Sequence, residues 1–131
     1  GGHGNDRLDG GTEDDILRGG RGDDDLSGGT GDDILRSGRG KDTLDGGAGD
    51  DILVGGRGAD TFVFKENSGD DIIRRFETGK DQIDLTALNL SFDDLRISEG
   101  QGERGVTILF DDATLVITSL SGDLAEVDFL F

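Results

Sequence analysis

The sequence predicts an all-β solenoid of short parallel strands, two per turn, followed by a β-rich C-terminal segment. A nine-residue repeat runs through residues 1–63, and an eighteen-residue alternation lies inside it. The residue types also divide the chain, because 19 of the 25 Gly lie within residues 1–63 and all seven Phe lie at or after Phe62. A fixed short period is typical of repeat architectures in which each unit stacks on its neighbours.

Each nine-residue unit combines a glycine turn with a short strand. The seven units begin at Gly1, Gly10, Gly19, Gly28, Ser37, Gly46 and Gly55. Position 2 is always Gly, position 6 is always Asp, and position 8 is a large apolar residue from Leu8 to Phe62. Glycine permits positive φ, and positions 7 to 9 suit a three-residue strand whose position 8 points away from the side chains of its neighbours. The pattern predicts a ladder of Leu inside the solenoid.

The alternation predicts how the units are shared between two sheets. Position 7 is polar in odd units and is Ile in even units, at Ile16, Ile34 and Ile52. Position 3 is His or Arg in odd units and Thr or Ala in even units. The structural period is therefore about two units, so odd units should form one sheet and even units the other.

The net charge and the residue composition limit the classes of partner and site that the chain can have. The net charge is −17, from 30 acidic and 13 basic residues. Such a chain repels itself unless cations neutralise it, which argues against nucleic acid as a partner and for metal ions. There is no Cys for disulfides or thiolate sites. No apolar run approaches the roughly 20 residues of a membrane span, and no N-terminal signal peptide is visible.

Catalysis is not expected from these residues. The chain has one histidine, His3, in a repeat turn, and it has no His-Glu-x-x-His motif and no Cys nucleophile. Nothing in the sequence groups its Ser, Asp and Glu into a catalytic site. We therefore expect a non-catalytic, monomeric module, with any catalytic domain upstream of this chain.

The repeat unit resembles the RTX (repeats-in-toxin) nonapeptide, a calcium-binding repeat of parallel β-helices. The resemblance covers residues 1–63, and Glu13 and Ser37 are its two glycine substitutions. It implies a right-handed parallel β-roll with calcium ions between turns on the same side. Residues 68–88 resemble the segment that follows the repeats in serralysin-type metalloproteases and mannuronan C-5 epimerase modules.

Calcium prefers six to eight oxygen ligands in flexible geometry. Alternate units share a side, so about five ions are expected between successive position-6 carboxylates. The expected pairs are Asp6–Asp24, Asp24–Asp42 and Asp42–Asp60 on one edge, and Asp15–Asp33 and Asp33–Asp51 on the other. Glu13 must accept an unusual backbone conformation or distort its turn, which makes Asp15–Asp33 the weakest expected site.

The resemblance also implies that carbonyls of positions 1 and 3, with position 5, complete each coordination sphere. These positions are occupied by Gly1, His3, Asn5, Gly10, Thr12, Asp14, Gly19, Arg21, Asp23, Gly28, Thr30, Asp32, Ser37, Arg39 and Lys41. An additional site involving Asp70, Asp71 and Asp81 stays open, because Arg75 stands where the resembled proteins carry Asp.

Residues 64–131 are expected to cap the roll. Alternation and β-branched content predict strands at 61–64, 71–76, 81–85, 104–110 and 113–118. Ser91 to Asp94 resembles a capping box that begins a short helical turn, and residues 100–102 suit a turn. The end of the chain, from Asp128 to Phe131, resembles the signal of type I secretion substrates, or it completes the last strand of the cap.

Two functions follow. The first is a calcium-binding module that folds after type I secretion and stabilises an extracellular protein, since extracellular modules bind calcium at about 10⁻⁴–10⁻³ M. The alternative is a module that binds an anionic, alginate-like glycan. The alternative depends on an outward aliphatic and basic face made of Ile16, Arg18, Ile34, Arg36 and Ile52. Such a face is otherwise covered by the C-terminal segment or by an upstream domain.

Overall fold

The computed structural model describes residues 1–99, 105–110, 113–118, 123–125 and 128–131. In the repeats, the strands are β1 (Gly2–His3), β2 (Arg7–Gly11), β3 (Ile16–Arg21), β4 (Asp25–Thr30), β5 (Ile34–Arg39), β6 (Thr43–Ala48), β7 (Ile52–Arg57) and β8 (Thr61–Val63). After them come β9 (Asp70–Arg74), β10 (Gln82–Asp84), β11 (Arg96–Glu99), β12 (Val106–Phe110), β13 (Ala113–Thr118) and β14 (Phe129–Leu130). No helix in these ranges is both long and apolar enough to cross a membrane.

The strands form the predicted parallel β-roll. One sheet has the order β14-β10-β8-β6-β4-β2 and is parallel throughout, and the other has the order β1-β3-β5-β7-β9-β13-β12-β11. Leu26 pairs in register with Leu8 and Leu44, which lie one eighteen-residue period to either side. Positions 7 to 9 of odd units therefore build one sheet and those of even units the other, as the alternation predicts.

The predicted length of the repeat strands is wrong. Most of them have six residues rather than three, because they continue through positions 1 to 3 of the next unit. Glycine permits this continuation: Gly29 pairs with Gly11 and Gly47. A Cβ on Gly29 would collide with the carbonyl oxygen of Gly11. The polar glycine segment is thus both strand and turn.

The core is a single ladder that thickens toward the C-terminus. Its fully buried rungs are Leu26, Leu35, Leu44, Leu53 and Phe62. Leu8 and Leu17 are only partly buried at the first turn. Beyond Phe62, the ring of Phe76 lies 6.0 Å from that of Phe62, so the ladder leads into an aromatic core.

The C-terminal segment adds strands to both sheets of the roll. β9 and β10 pair in parallel with β7 and β8, so parallel pairing extends past residue 63, where the nine-residue period ends. β13 then pairs in parallel with β9, whereas β12 and β11 form an antiparallel extension. β14 completes the other sheet next to β10.

Most predicted cap elements are confirmed. Strands occur in the five predicted segments, although β12 begins at Val106, and residue 104 lies outside the described residues. The predicted turn at residues 100–102 also lies outside them. A 3₁₀ turn spans Phe92–Asp94, and the Asp94 carboxylate accepts the Ser91 backbone N–H at 2.8 Å. The 3₁₀ turn at Thr86–Leu88 and the edge strand β11 were not predicted.

We expect Leu44→Ala to destabilise the roll by about 2–5 kcal/mol, because truncation of a buried Leu leaves a cavity between neighbouring turns. Ile16→Ala is the matched control, since Ile16 is 62% exposed. Denaturant unfolding in saturating calcium measures both variants. Equal losses of stability would show that the interior ladder is not the core of the roll.

Candidate metal-binding turns

The position-6 aspartates form two buried rows along the edges of the roll. Asp24, Asp42 and Asp60 lie in one row, and Asp33 and Asp51 lie in the other. All five are at most 2% exposed. Asp6 and Asp15 begin the rows at the less covered end and are partly buried.

One carboxylate oxygen of each aspartate ties two turns together. The backbone N–H of Asp24 donates to Oδ1 of Asp42 at 2.8 Å, and that of Asp33 donates to Oδ1 of Asp51 at 2.8 Å. The same bond joins each of the other predicted pairs, at 2.7–3.1 Å. The structure therefore brings together all five pairs of aspartates that the sequence predicts.

The second carboxylate oxygen has no such partner. Oδ2 is buried without a hydrogen-bond partner in Asp24, Asp33, Asp42, Asp51 and Asp60. A buried carboxylate oxygen without a donor is costly, and buried charges in proteins are paired or coordinate metals. These rows therefore have the electrostatic character of a cation site.

Position 1 leaves room for an ion beside that oxygen. A Cβ on Gly19 would collide with Oδ2 of Asp24, and it would lie 2.7 Å from the carbonyl oxygen of Ser37 in the next turn. At Gly28, the corresponding oxygens are Oδ2 of Asp33 and the carbonyl oxygen of Gly46. A carboxylate oxygen and a carbonyl oxygen from neighbouring turns thus converge on a space that only glycine leaves free. Hard oxygens from flexible turns suit calcium.

Carboxylates alone do not make the site. Within the described ranges, no group of three or more His, Cys, Asp or Glu side chains could hold a metal ion. Calcium readily accepts backbone carbonyls as ligands. Any coordination sphere in these turns must therefore draw on the carbonyls beside the aspartate rows.

Burial raises the pKa of these carboxyls. It raises the pKa of Asp51 to about 6 and that of Asp60 to about 7, with smaller contributions from neighbouring carboxylates. Burial also raises the pKa of Asp33 and Asp42. In every case the backbone hydrogen bond opposes the shift. A metal-free roll thus holds Asp60 partly protonated near neutral pH.

The position-5 side chains form a second, exposed set of ties. Asn5 accepts the backbone N–H of Asp23 at 2.9 Å, and Asp23 accepts that of Lys41 at 2.8 Å. On the other edge, Asp14 accepts the N–H of Asp32 at 2.9 Å. These bonds explain the acidic and amide residues at position 5. They run in the opposite direction to the position-6 bonds, so each turn is fixed from both sides.

Position 3 presents its side chains to solvent and its carbonyls to the preceding turn. The exposed residues are His3, Thr12, Arg21, Thr30 and Arg39. The carbonyl oxygens of Arg21 and Arg39 accept the N–H groups of Gly4 and Gly22, at 2.7 and 2.9 Å. A carbonyl has a second lone pair, so this bond is compatible with a role as a metal ligand.

Glu13 changes the backbone of its turn. Positive φ at non-glycine residues occurs, within the described part of the chain, at Asn67, Arg75 and Asn89. Glu13 therefore does not adopt the left-handed conformation of the glycines at position 4. Even so, the Asp15 N–H reaches Oδ1 of Asp33 at 2.7 Å, so the row survives the distortion.

Two aspartates beyond the regular repeats continue the rows. Oδ1 of Asp71 accepts the Asp51 N–H at 2.9 Å, and Oδ1 of Asp81 accepts the Asp60 N–H at 3.1 Å. Both are at most 3% exposed, and burial raises the pKa of Asp71 to about 7. Because they end different rows, Asp70, Asp71 and Asp81 do not make one cluster. Asp70 instead accepts the N–H of Thr114.

Asp71 belongs to an additional, irregular repeat unit, which is why the nine-residue pattern did not place it in a row. Residues 68–73 match positions 3 to 8, with Gly69 at position 4 and Asp71 at position 6. Asn67, with φ of 62°, stands where the other units have Gly at position 2. Asp71 lies 20 residues after Asp51 rather than 18, so a search for an exact nine-residue period does not align Asp71 with the other position-6 aspartates.

The outer face of β3, β5 and β7 carries aliphatic and basic rows. Ile16 and Ile34 are paired in register, as are Arg18 and Arg36. Ile52 extends the aliphatic row and is half-buried. Further along the same strands, the exposed row Arg21, Arg39 and Arg57 is also in register.

The comparisons with known proteins agree with this geometry. The family model for the RTX calcium-binding nonapeptide repeat (4 copies) matches residues 1–35 and again 27–62. No curated protein matches the chain.

Among solved structures, the chain resembles the AlgE6R2 subunit of the mannuronan C5-epimerase of Azotobacter vinelandii, with 30% identity and a TM-score of 0.65. That match covers all of this chain and 90% of the subunit. It also resembles the extracellular lipase LipA of Serratia marcescens in fold, with a TM-score of 0.69 and 24% identity. That match covers 93% of this chain, which spans only 20% of the length of the lipase. The repeat, the paired aspartate rows and these likenesses together show that the chain belongs to the RTX family of calcium-binding nonapeptide repeats.

Proposed function

We propose that this chain is a non-catalytic module that folds when calcium binds and that stabilises an exported, extracellular protein. The observation that carries the proposal is the set of buried Oδ2 atoms without partners, which lie beside a position-1 glycine in every case but Asp42, and at Asp24 and Asp33 also beside a carbonyl of the next turn. Divalent ions placed there would neutralise the rows. The turns would then close on the ions, which couples metal binding to folding.

The proposed ions bridge successive aspartates along each row. Five pairs lie within the regular repeats, and Asp51–Asp71 and Asp60–Asp81 have the same backbone-to-carboxylate bond. Position-1 and position-3 carbonyls, with position 5, would complete the spheres. Calcium fits this arrangement better than magnesium, which prefers a small rigid octahedron with retained waters.

Residues 64–131 act, in this proposal, as the cap of the roll. Just before β14, the Asp128 carboxylate accepts N–H groups from Gly79 and Ala125 at 2.6 and 2.8 Å. Phe129 is buried against the rest of the core. We propose that the same C-terminal residues serve type I secretion while the chain is unfolded and complete the cap once calcium has folded it.

Calcium should convert the metal-stripped chain from a mostly disordered to a β-rich state, because the apo roll combines a thin core with a charge of −17. We expect a cooperative gain of far-UV circular dichroism near millimolar calcium, and no comparable gain with magnesium. A metal-stripped chain that is already β-rich at neutral pH would contradict the folding switch.

A carboxylate-to-amide change should separate ion binding from packing. Asp33→Asn keeps the Oδ1 acceptor for Asp15 but removes the charge shared by two pairs. We expect it to raise the calcium midpoint several-fold and to reduce cooperativity. Asp9→Asn is the control, because Asp9 is exposed on β2. Asp71→Asn should resemble Asp33→Asn; if it resembles the control, the rows do not extend past the regular repeats.

The raised pKa values predict an unusual pH dependence of the metal-free chain. The folded-state pKa of Asp60 is about 7, with Asp81, Asp42 and Glu77 facing it, and an unfolded Asp titrates near ~3.9. The folded state therefore binds more protons between about pH 4 and 7, so its stability falls as pH rises through that window. We expect more β signal without calcium at about pH 5 than at about pH 8.

Proton competition should also weaken calcium binding at the lower pH. Asp60→Asn should flatten the pH dependence of the metal-free chain, because the amide does not titrate. A β signal that instead rises between about pH 5 and 8 in the absence of calcium would contradict the raised pKa values.

A second candidate function is binding of an anionic, alginate-like glycan. The face that favours it is basic despite the net negative charge: Arg18 and Arg36 are exposed in register, beside the aliphatic row. The AlgE6R2 relative is part of a mannuronan C5-epimerase. A ladder of guanidinium groups at the strand spacing of roughly 4.8 Å could follow a linear polyanion.

Charge reversal tests this face. We expect Arg18→Glu with Arg36→Glu to abolish binding to alginate while leaving calcium-induced folding intact. Arg7→Glu with Arg96→Glu is the charge-matched control, because Arg7 is on the other sheet and Arg96 is on the distant strand β11. Affinity electrophoresis in alginate gels measures both. Unchanged retention of the first double variant would rule out this glycan face.

A further inference from the structure

Ser37 is the one position-1 residue of the seven regular units that carries a side chain. It lies on β5 and is fully buried. Its β-strand pairing is regular, since Gly38 pairs with Gly20 and Gly56. The backbone therefore runs as in the other units, and the difference is confined to one CH₂OH group at the place where other turns present only a glycine hydrogen.

The Ser37 hydroxyl lies between two groups that converge elsewhere in the rows. Its Oγ donates a hydrogen bond of 2.6 Å to the carbonyl oxygen of Gly55, in the next turn of the same edge. It also lies beside the Asp42 carboxylate, whose pKa is raised mainly by burial and lowered by this hydroxyl. The serine thus stands beside the carboxylate and donates its one hydroxyl proton to the carbonyl, the two groups that would face a bound ion.

The equivalent glycines show what this position excludes. A Cβ on Gly19 would collide with Oδ2 of Asp24 and would lie 2.7 Å from the carbonyl oxygen of Ser37. A Cβ on Gly28 would collide with both Oδ2 of Asp33 and the Gly46 carbonyl. Calcium requires about 2.3–2.6 Å to each ligand oxygen. A hydroxyl that is already 2.6 Å from the Gly55 carbonyl occupies the volume such an ion needs.

We propose that the Ser37 hydroxyl takes the place of one calcium ion, so that the turns of Asp42 and Asp60 are joined by its hydrogen bond to the Gly55 carbonyl rather than by metal. This inference rests on the proposed calcium-binding function. The roll then binds one ion fewer than its number of aspartate pairs. The turn at Ser37 is held together at any calcium concentration that allows the roll to fold.

The alternative is that the hydroxyl is itself a calcium ligand, and the two roles predict opposite effects of its removal. Ser37→Gly restores the glycine of the other six units, so the variant should fold. If the hydroxyl replaces an ion, Ser37→Gly gains one calcium per chain. If it is a ligand, the count stays the same or falls.

Two further variants complete the test. Ser37→Ala removes the hydroxyl but keeps the Cβ, so we expect no gain of an ion. Gly28→Ser places the same side chain beside Asp33 on the opposite edge, at a glycine without positive φ. We expect that variant to lose one ion per chain.

The measurement is the number of calcium ions per folded chain, by equilibrium dialysis with atomic emission, at saturating calcium. Circular dichroism verifies that each variant is folded. A gain of one ion in Ser37→Gly supports the inference, and an equal or lower count overturns it while leaving the calcium function standing. A wild-type chain that folds without binding calcium would overturn both.

Discussion

The structure depends on the stacking of buried carboxylates in register. The five fully buried aspartates of the rows each use Oδ1 to accept a backbone N–H from the neighbouring turn, and each leaves Oδ2 buried without a partner. The first oxygen fixes the spacing of the turns, and the second creates an electrostatic cost that grows with each added unit. Because both effects come from the same side chain, the register of the roll and its demand for cations are inseparable.

The apolar interior of the roll is too small to offset the cost of the buried carboxylates by itself. Each regular turn adds two apolar rungs, and the first ones, Leu8 and Leu17, remain partly exposed. The stability of repeat proteins is roughly a sum over units and their interfaces. The aromatic core around Phe62, Phe76 and Phe110 therefore gives the C-terminal end a larger buried apolar core than the N-terminal end.

The nine-residue period predicted the two sheets, the interior ladder and the pairs of aspartates, because each depends on one residue type at one position. It did not predict the length of the strands, since glycine has low strand propensity and its pairing here depends on the turns stacked beside it. The period also passed over Asp71, because two inserted residues shift its spacing while the three-dimensional register is kept. β11 has only one large apolar residue, Ile97, and its strand character comes from pairing with β12.

The three irregular units show that the glycines of the repeat meet different requirements. Apart from Gly2, the glycines at positions 2 and 4 adopt positive φ, whereas those at position 1 do not. Asn67 replaces a position-2 glycine and keeps φ at 62°, which asparagine tolerates better than most residues. Glu13 gives up the conformation at position 4, and the aspartate row persists because its bond is made two residues later. Ser37 needs no special backbone, so its only effect is on the space beside Asp42, where the other turns leave room for an ion.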